Sequence, residues 1–347
     1  MSGQEIREVK AVFQNKTVLV TGGTGSFGHA FTERLLAENY PFKLIIFSRD
    51  EMKQWDMAKK YATDDRVRFF IGDVRDRDRL YRAVDGCDYV VHAAATKIVP
   101  TAEYNPFEAV KTNVIGAMNL IDACIDRGVE RVVALSTDKA SSPVNLYGAT
   151  KLASDKMFVA GNFYAGNKDT RFSVVRYGNV MGSRGSVIPF FLSRRHSGLP
   201  LPITDERMTR FMITLEQGVD LVLTAFEVGD GGEVFVKKIP SMSIMEIAEA
   251  IDPGGAREVV GIRAGEKIHE QMISVEDSVT TWEFEDHYRI LSALFPRDRT
   301  ALSNAGGSPV ADGFSYTSEM NPDWMSVDTL RHWISARESG VQQTNRL

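Results

Sequence analysis

The sequence has very little cysteine: in 347 residues there are only Cys87 and Cys124, the first in a predicted strand and the second in a predicted helix. That excludes a disulfide framework, so both thiols read as core packing and a reducing cytoplasm is the expected compartment. Long apolar runs are also missing. Stretches such as Leu44 to Phe47 are strand-sized, far short of the roughly 20 residues a membrane span requires, so no membrane partner is expected. The opening MSGQEIREVK lacks the apolar core of a signal peptide. Lys and Arg are scattered through a chain of net charge -5, which leaves no basic face for nucleic acid. His92, His196, His269 and His287 share no ligand spacing, so no metal is expected.

What is present is a rhythm. Short β-branched runs (KTVLVT, FKLIIFS, VRFFIGD, DYVVHAAA, RVVALST, FSVVRYG) alternate with helical patterns beginning near Ser26, Asp50, Asp76, Pro106 and Asn145. Nearly uniform apolar strands separated by crossover helices predict an α/β, doubly wound parallel sheet with both faces covered. After Tyr177 the rhythm breaks into GSRGSVIP and SGLPLPITDE, and GEVFVKK then rejoins the sheet. Residues 1–177 with about 213–238 therefore read as a Rossmann-like dinucleotide-binding domain. Residues 178–212 with about 239–347 read as a smaller mixed α/β cap, in which the stretch from Asp298 to Ser318 reads as a mobile loop. Trp324, Met325 and Trp333 fit a packed helix or a subunit contact.

TGGTGSFG at 21–28 follows the first strand and opens a helix. In a βαβ unit, Gly22, Gly25 and Gly28 permit a tight turn and close approach of Thr24, Ser26 and Phe27 to a pyrophosphate seated on the helix N-terminus. At the end of the second strand, a carboxylate selects the ribose 2′-hydroxyl of NAD, and a cation selects the extra phosphate of NADP. Ser48 and Arg49 come first there, with Asp50 behind and Lys53 one turn on, which favours NADP over NAD. Asp73 and Val74 follow the third strand, against the adenine; Ala93, Ala95 and Lys97 follow the fourth, nearer the ribose and substrate.

The chemistry lies in Ser136, Thr137, Asp138 and Lys139, followed by Tyr147 and Lys151. Tyr147 and Lys151 are four apart on a predicted helix and share a face. An ammonium beside a phenol favours the phenolate, so Tyr147 is expected to have a lowered pKa and to accept a hydroxyl proton while hydride leaves carbon. With a carbonyl at sugar C4, a base at C5 and an acid at the C6 hydroxyl expel water. Lys139 is expected to be that base, neutral through burial and nearby positive charge, and Asp138 the acid.

TGGTGSFG, GDV at 72–74, HAAA at 92–95, STDKA at 136–140 and YGATK at 147–151 resemble the extended short-chain dehydrogenase/reductases. Within them, SRDE at 48–51, STDKASSPVNLYGATKLASDK at 136–156, RYGNVMGSRGSVIPFF at 176–191 and GEKIHE at 265–270 resemble the configuration-inverting UDP-N-acetylglucosamine 4,6-dehydratases that open pseudaminic acid synthesis. The likeness runs from about residue 15 to 290. It implies a tightly held, recycled NADP, UDP-N-acetylglucosamine as substrate, a homo-oligomer, and UDP-2-acetamido-2,6-dideoxy-β-L-arabino-hex-4-ulose as product. It also implies that Lys97, Asn179, Val180, Arg184, Val187, Thr204, Arg210, Arg263 and Glu266 hold the nucleotide sugar. Retaining relatives commonly carry TDE, or TDK with Met in place of Tyr; having both Lys139 and Tyr147 favours inversion at C5. Thr96 and Ala264 depart from the pattern, which usually has an apolar residue and Pro there. The alternatives are a C5-retaining dehydratase, a nucleotide-sugar 4-epimerase, which needs no acid and base at C5 and C6, and a non-catalytic NADP-sensing protein.

Overall fold

The computed structural model describes residues 12–38, 40–183, 185–294 and 298–344. Its first half is the expected alternation: β1 (Thr17–Thr21), α1 (Ser26–Ala37), β2 (Lys43–Ser48), α2 (Glu51–Lys60), β3 (Val67–Ile71), α3 (Arg77–Ala83), β4 (Tyr89–His92), α4 (Val99–Tyr104), α5 (Pro106–Val110), α6 (Gly116–Arg127), β5 (Arg131–Leu135), α7 (Leu146–Tyr164) and β6 (Arg171–Arg176). The strands lie in the order β3-β2-β1-β4-β5-β6, all parallel. Val18, Leu19 and Val20 of β1 are wholly buried because helices cover both faces, each contributing about 1.5–3 kcal/mol of transfer free energy. The order reverses between β1 and β4, which opens a crevice beyond their carboxyl ends.

Side-chain caps set where several helices begin. Asp50 accepts from the backbone of Lys53 at the start of α2, Asp76 does the same for α3, and Asn145 for α7. By contrast α1 starts from Gly25 with no side-chain cap and no acidic residue in its first turn, so its N-terminal N–H groups face the crevice without a competing anion.

The second half continues with β7 (Asn179–Val180), α8 (Val187–His196), β8 (Leu201–Ile203), β9 (Thr209–Ile213), α9 (Leu215–Val228), β10 (Val234–Lys237), β11 (Ser241–Ser243), α10 (Ile244–Ile251), β12 (Arg257–Val259), β13 (Gln271–Ile273), β14 (Thr281–Glu283), β15 (His287–Ile290), α11 (Arg299–Asn304), β16 (Ser308–Pro309), β17 (Tyr316–Thr317) and α12 (Val327–Thr344). As expected, β10 rejoins the sheet, parallel to β6. The sheet then draws β15, β14 and β16 out of the segment read as cap, extending to ten strands. All four residues of β15 are buried, so the edge that β10 leaves open is closed by chain from the far end of the sequence. A separate apolar cluster, with Ile188, Phe191, Ile203, Met242, Ile247 and Leu330, forms the core between α8, α10 and α12.

Two expectations need correction. The stretch from Asp298 to Ser318 is not a bare loop: it carries α11, β16 and β17, and β17 pairs with β13. Its Gly and Ser fall at turns between elements too short to show a period. Cys87 lies just before β4 rather than in it; both thiols are buried and unbridged, and burial pushes Cys87 up to about 12.

Candidate active site

A cavity of about 660 Å³ occupies the crevice. Gly22, Gly25, Ser26 and Phe27 form one wall. Gly22 has φ +66°, and a Cβ there would lie 2.8 Å from the backbone nitrogen of Ala94. A Cβ on Gly28 would lie 2.1 Å from the carbonyl oxygen of Gly23, so this glycine lets α1 press against the loop without itself lining the cavity. Thr24 is also behind the wall, its hydroxyl 2.8 Å from that of Ser48, pinning the loop to the end of β2. A cradle of close backbone at an uncapped helix N-terminus fits a dinucleotide pyrophosphate.

Ser48, Arg49, Asp73, Val74, Ala93, Ala95 and Lys97 line the same cavity. Asp50 and Lys53 do not. Asp50 caps α2, and Lys53 Nζ sits 2.7 Å from its carboxylate, a bond that holds Asp50 below its ordinary value. The helix start therefore uses both residues, leaving exposed Arg49, 3.8 Å from Asp73, as the cation at the end of β2. Burial pushes Asp73 up, but bonds from Arg75 leave it net below the usual carboxylate range.

Ser136, Thr137, Lys139, Tyr147 and Lys151 line the opposite end. The approach of Lys139 to Tyr147 depends on Gly148, where a Cβ would lie 2.1 Å from the Lys139 carbonyl oxygen. Ser136 donates to Asp155 over 2.6 Å, fixing the end of β5 on α7. Asp138 does not line the cavity: its side chain is 1% exposed, and it reaches the cavity through Thr137, whose hydroxyl donates to it over 2.9 Å.

The expected electrostatics are reversed at two residues. Burial dominates at Tyr147 and pushes its phenol up to about 12, outweighing the positive charge of Lys139, so the chain alone holds Tyr147 protonated. Burial lowers Lys151 and also His92, to about 3, leaving His92 a neutral partner of Thr21. Lys139 is raised, not lowered. Burial pushes it down, but Asp138 and Glu270, each 3.0 Å from Nζ, raise it above an ordinary lysine. Asp138 is raised by burial and by Glu270, so of the two carboxyls it is the readier to take a proton. Glu270, raised by burial but lowered more by Lys139 and Arg210, is the anion.

On the substrate side Lys97, Asn179, Val180, Arg263 and Glu266 line the cavity. Arg184 lies outside the described residues. Val187, Thr204 and Arg210 do not line it. Val187 packs on the cap core, Thr204 follows β8 away from the lining, and the Arg210 guanidinium donates to the carbonyls of Thr209, Lys267 and Ile268. These bonds tie the guanidinium to the segment before β13.

Two residues that support the site escaped the sequence reading. Asn113 is buried in a π-helical turn (Lys111–Ile115) and bonds both the backbone N–H and C=O of Thr96, ordering the strand end that presents Lys97. Its only signal was an Asn in an otherwise ordinary helix. Glu270 stood in plain view at the end of GEKIHE, yet no spacing links it to Lys139, 131 positions earlier, and only the fold joins them. Among the described residues no group of His, Cys, Asp and Glu could hold a metal ion.

Residues 18–292 match the polysaccharide biosynthesis protein family. The chain is 55% identical over 333 residues to an inverting UDP-N-acetylglucosamine 4,6-dehydratase of Campylobacter jejuni, covering 94% of this chain and 99% of the relative. It is 44% identical over 286 residues to a UDP-glucose 4-epimerase of Rickettsia canadensis, covering 80% and 84%. Among solved structures, Pen from Bacillus thuringiensis superposes with TM-score 0.86 at 36% identity, covering 94% and 99%. DesIV, a dTDP-glucose 4,6-dehydratase from Streptomyces venezuelae with NAD bound, superposes with TM-score 0.65 at 26% identity, covering 73% and 86%. The chain belongs to the polysaccharide biosynthesis protein family, together with the inverting UDP-N-acetylglucosamine 4,6-dehydratases.

Proposed function

We propose that this protein is a UDP-N-acetylglucosamine 4,6-dehydratase that inverts C5, the reading carried by Lys139 lying between Asp138 and Glu270 in the same cavity as Tyr147 and the dinucleotide cradle. The Gly22–Gly25 loop, Ser48 and Arg49 would hold a nicotinamide dinucleotide, which would supply reversible hydride acceptance and a positive charge favouring the Tyr147 phenolate. Tyr147 takes the C4 hydroxyl proton. Lys139 passes one proton to Asp138, a carboxyl raised by burial and by Glu270 and 3.0 Å away, and the neutral amine then removes the C5 proton. Protonated Asp138 returns the proton through Thr137 to the departing C6 hydroxyl, which leaves as water. Lys139 is an ammonium again, and Tyr147 protonates C5 from the opposite face. Each residue ends as it began, so one resident dinucleotide serves every turnover.

The test is incubation of the protein with UDP-N-acetylglucosamine in deuterated water, read by NMR. A 4-keto-6-deoxy sugar carrying deuterium at an inverted C5 is expected. A C4 epimer, or a 4-keto sugar with unchanged C5, would refute the reading. The epimerase reading explains Tyr147 and Lys151 but has no use for a buried Asp138, Lys139 and Glu270, and an NADP-sensing protein has no use for any of them.

Arg49 supports NADP as the cofactor, since it lines the cavity at the end of β2 while the neighbouring Asp50 is engaged in capping α2. Loss of a charge-assisted bond to phosphate costs about 1.5–3 kcal/mol, so Arg49→Ala is expected to weaken NADP binding about 10- to 100-fold and NAD binding little. Equal effects on both cofactors in calorimetric titration would point to NAD. No helix among the described residues is long and apolar enough to cross a membrane. Tyr104, Phe107 and Tyr164, strongly exposed on the packed helices α4, α5 and α7, support a homo-oligomer.

A further inference from the structure

Lys139 faces two carboxylates, and the mechanism above uses only one. Glu270 is 2% exposed and does not line the cavity. Its Oε1 lies 3.0 Å from Lys139 Nζ and 3.8 Å from Arg210 Nε, while its Oε2 is buried without a hydrogen-bond partner. Its backbone N–H donates to Ser318, which also bonds Thr209, so the segment is anchored from behind. A buried carboxylate with half its capacity unused is costly to retain if its purpose is only structural.

We infer that Glu270 is a positioning residue for the elimination step, a fixed counter-charge that holds Lys139 over the substrate and lets one proton shuttle between Lys139 and Asp138. The inference rests on the dehydratase reading above. The charged groups facing Glu270 are Asp138 and Lys139 from the turn after β5, Arg210 from β9 and Lys267 from its own segment, with Arg176 of β6 beyond Lys267. Lys139 and then Arg210 lower Glu270 against the effect of its burial. The negative charge of Glu270 raises both Lys139 and Asp138, the two groups between which the proton moves. The shuttle conserves charge: an N–H bond of Lys139 breaks, an O–H bond of Asp138 forms, and Glu270 neither gains nor loses a proton.

The test compares wild type, Glu270→Gln and Glu270→Asp as holoenzymes with UDP-N-acetylglucosamine, following nicotinamide reduction in single turnover, water loss, and the pH profile of each. In Glu270→Gln, water loss is expected to fall about 100-fold while C4 oxidation and KM stay within about threefold. The bell-shaped pH profile of water loss, which belongs to the Lys139–Asp138 pair as a unit, is expected to shift about one unit to lower pH, because losing the anion lowers both groups. Glu270→Asp, which keeps the charge, is expected to recover most of the rate with the wild-type pH profile; should the Gln variant not fold, a shifted profile in Glu270→Asp overturns the inference. An unshifted profile in Glu270→Gln, or equal loss of C4 oxidation and water loss, overturns the inference. If wild type itself forms no 4-keto sugar, it is the function that has failed.

Discussion

Lys139→Met is expected to stop the reaction after its first step: UDP-N-acetylglucosamine is oxidised at C4, reduced nicotinamide accumulates, and water loss falls about 1,000-fold. Met approximates the length of the lysine stem but has no proton to give or accept. It also leaves Asp138 and Glu270, both buried, without the ammonium 3.0 Å from each. Two anions cannot persist together in that space, and one protonates instead. Since Asp138 is already the raised member, it becomes the neutral one, so the variant keeps an acid and lacks only a base. Deuterium at C5 is the direct readout. Water loss within about tenfold of wild type would mean that another group abstracts the C5 proton and would overturn the role given to Lys139.

Tyr147→Phe is expected to fail one step earlier, with nicotinamide reduction slowed about 1,000-fold and nucleotide-sugar binding changed little. The ring is nearly buried and packs with Ala102 and Ala109 of the neighbouring helices, so Phe keeps the packing and removes only the hydroxyl. A phenol held up at about 12 by burial makes this step pH-dependent: proton removal is disfavoured in the chain alone and depends on positive charge beside it. The C4 oxidation rate of wild type should therefore rise with pH until the phenol ionises, and that dependence should vanish in Tyr147→Phe. A single-turnover pH series on both proteins checks it. The two variants separate the halves of the mechanism, because one accumulates reduced nicotinamide and the other never forms it.

Much of this was legible along the chain wherever the signal is local. The glycine loop could be placed because Gly22 must turn with positive φ and Gly28 must admit a helix against backbone. Tyr147 and Lys151 could be paired because four residues make about one helical turn. Asp50 and Lys53 misled for the same local reason: a carboxylate and an amine at a helix start serve the cap as well as they serve a ribose. Arg210 misled because its charge is visible in sequence and the carbonyls that occupy it are not.

The one-dimensional chain alone determined the alternation of strand and helix, the nucleotide loop after β1, and the residue types at Asp138, Lys139, Tyr147 and Lys151, because each depends on neighbours within a few positions. Tertiary structure alone decided the ionisation of those groups, since burial and charges from distant segments set it. Glu270 is brought from 131 positions away to raise Lys139, and burial raises the Tyr147 phenol where a neighbouring ammonium was expected to lower it.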